Sequence, residues 1–213
     1  MENKKTSNYD LQVDIARDIF VKYDQKVLIR KFHFTADEER IYLKYLGIPF
    51  RICRKSGRIE ESLQENNWKE CRSYDTVMTI YDLLCHSKGE KMPVLSGSWC
   101  TTASVFDIDG QNSETFTKEY AEAFQNHVEE LKMACQKMKG VVEPPLARAD
   151  VTCRIPVTSF FDILLQFWEG DEEFSPKILL MWDKNFQSFL HYETTFYLQK
   201  DLLERLVKNL KNI

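Results

Sequence analysis

Apolar residues in the N-terminal part of the chain recur at every fourth position. Leu11, Ile15 and Ile19 follow this spacing, and charged or polar residues stand between them. This is the pattern of one face of an α-helix, and it predicts an amphipathic helix over residues 10–23. Residues 26–34 fit either a second helix or a strand, and the pattern does not decide between the two.

Between residues 40 and 61 apolar and polar positions alternate instead, which is typical of strands with one buried face. Turns that contain glycine interrupt the alternation twice, so we predict a small antiparallel meander. Pro49 indicates that its strand lies at the sheet edge or begins beside the proline. Helical spacing returns over residues 73–88, where Ser73 can cap the first turn.

A broad apolar stripe over residues 113–139 predicts the longest helix, with Ser113 as its cap and Gly140 as its end. His127 lies on or beside this stripe. Its side chain is therefore open to two interpretations, a structural histidine at the core boundary or a residue that binds a ligand.

Paired prolines in the segment 140–150 cannot continue a helix. We interpret this segment as an ordered connector between two sub-regions, residues 1–139 and residues 151–213. Together they form one predicted α+β domain that spans residues 1–213.

Apolar residues occupy both faces of the segment 160–168, which is typical of a central strand covered on both sides. An acidic turn at 170–176 leads to a partner strand at 177–182, and an amphipathic helix follows over residues 193–210. The chain therefore predicts an α+β fold. We expect an antiparallel or mixed sheet packed by several amphipathic helices, with the terminal helix docked on the C-terminal hairpin.

Composition and charge narrow the classes of function. The chain has 213 residues and a net charge of −4, which argues against a nucleic acid or an anionic membrane as its main partner. The N-terminal segment lacks the apolar core of a signal peptide, and no run reaches the ~18 apolar residues that span a bilayer. We therefore expect a cytoplasmic protein, and its oligomeric state stays open.

Six cysteines are spread along the chain without the close pairing that zinc and iron–sulfur sites use. Reduced and mostly buried thiols are expected, because free cysteine behaves as a small apolar residue. No residue is assigned as a metal ligand from this spacing.

The C-terminal third carries three short motifs: WEGDEEFSP at 168–176, MWD at 181–183 and FLHYE at 189–193. Together with the helical segment 81–84 and the loop 96–99, they resemble domain-of-unknown-function family 3786. The resemblance implies a family found mainly in anaerobic bacteria and archaea, with no established activity to carry over. Some members carry an additional four-cysteine iron–sulfur module. This sequence departs from that arrangement, so we expect no iron–sulfur cluster.

Asp171 and Glu173 lie in the acidic turn. Alternate side chains of an extended segment share one side, so these two carboxylates could converge. Their mutual repulsion would raise one pKa, as general acid–base catalysis requires. With His191 they are the candidate catalytic residues, and with His191 or Glu193 they could instead bind a divalent cation. A solvated structural turn is the other interpretation.

Four residues are candidates to contact a small molecule or cofactor: Trp99 in a loop of small polar residues, His127, Trp168 and His191. They favour a cytoplasmic binding or accessory protein with an aromatic-lined cavity, and the cofactor itself is unknown. The family resemblance implies anaerobic redox or tetrapyrrole/corrinoid metabolism as a setting. The alternative is a hydrolase or lyase that uses the 171–173 turn with His191, so whether the protein is an enzyme stays open.

Overall fold

The computed structural model describes residues 7–64, 67–87, 89–106 and 111–212. These residues form seven α-helices and two antiparallel sheets, and the C-terminal helix packs on strands. The predicted α+β fold is confirmed, and the sheets are antiparallel rather than mixed. The chain separates into two compact units. The first unit runs up to Pro93 and includes Gln187–Leu198, and the second unit comprises Val94–Phe186 and Gln199 onward.

The first unit contains three helices and a sheet. Its sheet has five strands in the order β1-β2-β3-β4-β5, each antiparallel to its neighbour. The predicted meander over residues 40–61 is therefore present. In chain order the elements are α1 (Asn8–Lys22), α2 (Gln25–Phe32), β1 (Thr35–Ala36), β2 (Arg40–Tyr45), β3 (Ile48–Cys53), β4 (Ile59–Gln64), β5 (Asn67–Glu70) and α3 (Tyr74–Cys85), followed later by the start of α7 (Tyr192–Leu210).

Local side chains explain where the helices of the first unit begin. Ser7 and Asp10 form a reciprocal capping box at the start of α1, in which each side chain accepts a hydrogen bond from the other's backbone N–H. Asp24 caps α2 by accepting from the N–H groups of two residues in its first turn. This cap resolves the ambiguity of residues 26–34 in favour of a helix. Ser73 caps α3 as predicted.

The apolar stripe of α1 does not face the core. Leu11, Ile15 and Ile19 are 54%, 53% and 52% exposed, whereas Phe20 on another face of the helix is fully buried. The spacing correctly predicted a helix, but the apolar stripe is not the buried side of that helix. A stripe of large apolar side chains, more than two helical turns long, is thus left in contact with water on this face of the first unit.

The second unit contains a sheet with strands in the order β6-β10-β9-β8-β7, again antiparallel throughout. Helices α5 and α6 pack on β10 and β8. Strand β9 is central, and its residues 163–167 are all buried, as the doubly apolar pattern predicted. The elements are β6 (Trp99–Cys100), α4 (Thr102–Phe106), α5 (Gln111–Phe124), α6 (Val128–Lys137), β7 (Val141–Val142), β8 (Val151–Pro156), β9 (Asp162–Trp168), β10 (Lys177–Asp183) and the remainder of α7.

The predicted single helix over residues 113–139 is wrong, because the chain breaks between α5 and α6. Asn126 adopts a left-handed conformation with φ of 63°, and its N–H donates to a carboxylate oxygen of Glu169 over 2.8 Å. The side chain of Gln125 exchanges two hydrogen bonds with the backbone of Gly170. These contacts with the acidic turn replace the hydrogen bonds of a continuous helix. Ser113 lies inside α5 rather than at its cap.

The predicted connector 140–150 begins with β7, which pairs with β8 inside the second unit. The organisation as one domain with two sub-regions stays a prediction. Among the described residues, none of the helices combines the length and apolar character that crossing a bilayer requires.

Candidate functional site

A pocket of about 400 Å³ opens in the first unit, between helices α1 and α3 and the beginning of α7. This volume falls within the range of small-molecule sites. Its lining comes from α1 (Gln12, Ile15, Ala16, Ile19), from α3 and the residue after it (Tyr74, Met78, Tyr81, Asp82, Cys85, His86), and from the α7 region (His191, Glu193, Thr194, Tyr197).

One wall of the pocket is the exposed apolar face of α1. Ile15 and Ile19 line the pocket, and about half of each side chain is exposed. Leu11 is equally exposed on the same helix but lies outside the pocket lining. The pocket therefore offers water-exposed apolar surface that a bound molecule would cover.

Aromatic rings surround the opposite part of the lining. The Tyr74 ring meets the rings of Tyr9 and Tyr197 edge-on, at centroid distances of 5.0 and 5.3 Å. Its hydroxyl donates a hydrogen bond to the side-chain oxygen of Gln12. Burial and the neighbouring Tyr197 hydroxyl raise the pKa of Tyr74 well above its ordinary value. The phenol is therefore neutral and serves as a hydrogen-bonding and packing group.

The polar end of the pocket holds three side chains that converge from two elements. Asp82 and His86 are four residues apart at the C-terminal end of α3, so they lie on the same helix face. His191 directly precedes α7. Each of the three offers one potential ligand atom, and these atoms lie within 4.8 Å of one another. We call these three residues the Asp–His–His cluster.

Two hydrogen bonds fix the carboxylate of Asp82. Its Oδ2 accepts from the backbone N–H of His191 over 2.8 Å, and its Oδ1 lies 2.5 Å from Nδ1 of the same residue. The Asp82 side chain is only 12% exposed, whereas that of His191 is 58% exposed. The aspartate is therefore held in place, and the histidine beside it keeps access to solvent.

The ring of His86 is oriented by the backbone. Its Nε2 lies 3.1 Å from the carbonyl oxygen of Gln187. Because a carbonyl only accepts hydrogen bonds, we assign the proton to Nε2, which leaves the lone pair on Nδ1. The rings of His86 and His191 are close, with centroids 3.7 Å apart and planes at 63°. Two imidazoles and one carboxylate thus share one corner of the pocket.

Lys31 stabilises the chain just beyond α3. Its buried ammonium donates to the carbonyl oxygens of Ser87 over 2.7 Å and Gly89 over 3.1 Å. Burial lowers the pKa of Lys31. A cation at a helix C-terminus also interacts favourably with the helix dipole. Lys31 therefore holds the backbone that directly follows His86.

Cys85 also lines the pocket, but its chemistry is that of a neutral thiol. Burial and, second, the charge of Asp82 raise its pKa to about 12. A thiol is a nucleophile only when it is deprotonated, so Cys85 is a packing residue at neutral pH. All six cysteines are free, and four of them are buried.

The acidic turn predicted as a catalytic candidate has a clear local role. The carboxylate of Asp171 accepts hydrogen bonds from the N–H groups of Glu173 and Phe174, both at 2.8 Å. These bonds lower its pKa, the opposite of the expected rise. The N–H of Asp171 also donates to the carbonyl oxygen of Phe174 over 2.9 Å, so the turn is closed and Asp171 caps its own loop. The catalytic role of this turn stays a prediction.

The remaining sequence candidates lie in the second unit. Trp168 donates its ring N–H to the carbonyl oxygen of Ala147 over 3.1 Å. His127 occupies the N-cap position of α6, half exposed, with Nδ1 3.8 Å from Glu130. Trp99 lies in β6, which pairs with β10. Their role in cofactor binding stays a prediction, whereas His191 lies in the first unit at the pocket.

The loop before Trp99 donates hydrogen bonds to the buried carboxylate of Asp183. Asp183 accepts hydrogen bonds from the N–H groups of Ser96, Gly97 and Asn185 and from the Ser96 hydroxyl, at 2.8–2.9 Å. Burial favours a raised pKa for Asp183, but these bonds outweigh it and hold the pKa below its ordinary value. Two of the backbone N–H groups that could have met a ligand are thus occupied by Asp183.

Sequence reasoning missed two members of the Asp–His–His cluster. The apolar stripe over residues 73–88 predicts helix α3 without drawing on the spacing of Asp82 and His86. An aspartate and a histidine four residues apart on a helix are a recognisable ligand pair. The third member, His191, was identified as a candidate.

A protein-family model described as Domain of unknown function (DUF3786) matches residues 24–205. The match covers most of the chain, so the chain belongs to this family, as its C-terminal motifs predicted. No curated protein and no solved structure showed significant similarity to the chain.

Proposed function

We propose that this member of the DUF3786 family binds a small molecule in the pocket of the first unit. The observation that carries the proposal is the composition of the pocket. It has about 400 Å³ of space, apolar walls from α1 and α3, and a polar corner where the Asp–His–His cluster lies. A mostly apolar cavity with a few convergent polar groups is the usual form of a small-molecule site.

The exposed isoleucines of α1 supply a driving force for binding. Burial of apolar surface contributes about 25 cal/mol per Å². A ligand that covers Ile15 and Ile19 would remove part of their exposed surface from water. The polar corner would then orient the ligand, because its carboxylate and imidazoles can accept and donate hydrogen bonds. The proposed ligand thus has an apolar body and a polar or charged group at one end.

A cytoplasmic accessory role is the wider form of this proposal. The family resemblance suggests redox or tetrapyrrole/corrinoid metabolism in an anaerobe as its setting, so such cofactors belong among the ligands to be tested. The hydrolase or lyase alternative requires Asp171 and Glu173 with His191. No observation favours it, since the Asp171 carboxylate is engaged by its own turn.

The test uses the full chain and an apolar fluorescent probe, 1-anilinonaphthalene-8-sulfonate. The wild-type protein should bind this probe, and Ile15→Asp should weaken binding about tenfold or more, because a carboxylate then faces the apolar wall. Leu11→Asp is the matched control. It places the same charge on the same helix at an equally exposed position outside the pocket, and it should leave binding unchanged.

A second readout identifies a natural ligand. Native mass spectrometry and a UV–visible spectrum of protein purified without oxygen should reveal a retained molecule, and Ile15→Asp should lose it. Equal probe binding by wild type, Ile15→Asp and Leu11→Asp would overturn the assignment of the pocket. So would a retained molecule that both variants keep.

A further inference from the structure

We infer that Asp82, His86 and His191 form a binding site for a divalent transition-metal ion such as Zn²⁺ or Fe²⁺. This inference goes beyond the proposed function, since it concerns an ion and does not require the organic ligand. The site would lie at the polar corner of the pocket, where the three side chains already converge.

The ligand atoms are close enough for one ion. They lie within 4.8 Å of one another. Metal–nitrogen and metal–oxygen bonds of about 2.0–2.2 Å place two ligands of one ion roughly 3–3.5 Å apart. The His191 side chain is 58% exposed, so its ring has room to rotate to the spacing that an ion requires. Asp82 and His86 already share one face of α3.

Hydrogen bonds to the backbone engage one polar atom of Asp82 and one of His86. Oδ2 of Asp82 accepts the backbone N–H of His191, whereas Oδ1 lies against the ring of His191, which is itself a proposed ligand. Nε2 of His86 is held by the carbonyl of Gln187, so Nδ1 remains. Metal-binding histidines usually donate their other N–H to a carbonyl or carboxylate, and ligating carboxylates are themselves hydrogen-bonded. The cluster has both of these outer contacts.

In the present arrangement Nδ1 of His191 lies 2.5 Å from Oδ1 of Asp82, which is a hydrogen-bond distance. A bound ion would replace this hydrogen bond, since imidazole and carboxylate ligands bind metals in their deprotonated forms. A purely structural pairing of Asp82 with His191 would account for these two residues. That pairing does not include the His86 ring, whose centroid lies 3.7 Å from that of His191.

The ligand types decide which ions fit. Two imidazoles with one carboxylate are the ligand set of several zinc enzymes and of non-haem iron sites. Mg²⁺ and Ca²⁺ prefer oxygen ligands alone, so they should bind poorly. Three protein ligands leave at least one coordination position open. Because the same three residues line the pocket, that position would face the space where a ligand enters.

The experiment measures metal binding to the full chain after treatment with a chelator. Titration with Zn²⁺ and with Co²⁺ should show one ion per chain at the site, and Mg²⁺ should not compete. His86→Ala and His191→Ala should each weaken binding by roughly 100-fold or more, since loss of an outer-shell partner alone costs 10–100-fold. His127→Ala removes a half-exposed histidine of the second unit, and it should change nothing.

The visible spectrum of the Co²⁺ form reports the ligands of the ion directly. It would not depend on these residues if their role were only structural. Nitrogen and oxygen ligands should give ligand-field bands without the thiolate charge-transfer absorption that binding to a cysteine would produce. Asp82→Asn provides a third variant, with the side-chain volume retained. Thermal unfolding of each metal-free variant checks that it folds, and any two folded variants suffice for the comparison.

Several outcomes would overturn the inference. These are equal affinity in wild type, His86→Ala and His191→Ala, a thiolate spectrum, or preferential binding of Mg²⁺. The result is separable from the test of the proposed function. Ile15→Asp should lose the fluorescent probe and keep the ion, because Ile15 lines the pocket but is not a member of the Asp–His–His cluster. A chain that binds the ion without binding the probe would support the metal site and refute the small-molecule proposal.

Discussion

Replacement of Asp183 by asparagine should destabilise the second unit. The carboxylate is 5% exposed, and its two oxygens accept four hydrogen bonds at 2.8–2.9 Å. The substitution keeps the shape of the side chain but removes its charge and replaces one acceptor oxygen with an amide donor. Depending on which oxygen is replaced, the amide donor would face the backbone N–H of Gly97 or those of Ser96 and Asn185. A backbone N–H cannot accept a hydrogen bond, so the new donor would lack a partner there.

The magnitude follows from the bonds that are lost. A hydrogen bond to a charged group contributes about 1.5–3 kcal/mol, and a buried donor left without a partner costs about 1–3 kcal/mol. Asp183→Asn removes one acceptor oxygen and leaves the other as an uncharged amide oxygen, which accepts more weakly. We therefore predict a loss of about 3 kcal/mol in the free energy of unfolding. Chemical denaturation followed by tryptophan fluorescence measures this loss, because Trp182 adjoins the site and is fully buried.

The contribution of Asp183 to the free energy of unfolding should decrease in acid. The hydrogen bonds hold the pKa of Asp183 below its ordinary value, so the unfolded chain takes up the proton first as the pH falls. The stabilisation by Asp183 is therefore complete above the ordinary aspartate pKa of about 3.9, and it is lost as the pH falls through the lower folded-state pKa. Wild type and Asp183→Asn should converge in stability in acid.

Asp171→Asn is the matched control. Asp171 also caps a turn through its carboxylate, but it is exposed. Water can replace its lost hydrogen bonds, so this variant should lose clearly less stability than Asp183→Asn. Equal losses for the two variants, or a loss for Asp183→Asn that is the same at pH 7 and in acid, would show that the buried carboxylate does not stabilise the fold in this way.

Two further predictions concern the stability of the first unit. Gly57→Ala should lower the free energy of unfolding by about 1–3 kcal/mol, because φ is +74° and the added Cβ would lie 2.6 Å from Cγ of Arg17. Gly89→Ala is the control, since Gly89 has a similar φ but no neighbour within 4 Å of an added Cβ, and it should lose less stability. Equal losses for the two variants would contradict a clash at Gly57. Burial raises the pKa of Tyr81 to about 12, so the unfolded chain ionises first and stability should fall by roughly 2–3 kcal/mol between pH 10 and pH 12. A pH titration of denaturation midpoints checks this fall, which should be smaller in Tyr81→Phe.

Much of the fold was readable from periodicity. The alternation over residues 40–61 and the apolar residues 160–168 predicted strands because side-chain burial in a sheet follows a simple repeat. Ser73 marked the start of α3 by its capping chemistry. These signals are local, and each acts within a few residues of the position that it determines.

The errors arose where distant contacts outweigh local pattern. The stripe over residues 113–139 continues in sequence, yet hydrogen bonds to Glu169 and Gly170 interrupt the helix at Asn126. Along α1 the apolar spacing was correct, but Phe20 rather than the stripe enters the core. Periodicity identifies an apolar face and does not say whether another element covers it.

The Asp–His–His cluster could not have been assembled from the sequence. Asp82 and His191 are separated by 109 positions, and only the fold brings the start of α7 to the end of α3. The spacing of Asp82 and His86 was visible, and it indicates a shared helix face without indicating a third partner. Asp171 and Asp183 belong to the C-terminal motifs, and in the structure both carboxylates accept backbone hydrogen bonds that close turns.

Anomalous X-ray diffraction from crystals loaded with Zn²⁺ would locate the proposed ion. Data collected at the zinc edge should show one strong peak in the first unit, at about 2.0–2.2 Å from a carboxylate oxygen of Asp82 and from ring nitrogens of His86 and His191. A strong peak at the cysteines or at other surface residues, with Asp82 and His191 still hydrogen-bonded to each other and no ion between them, would contradict the metal site.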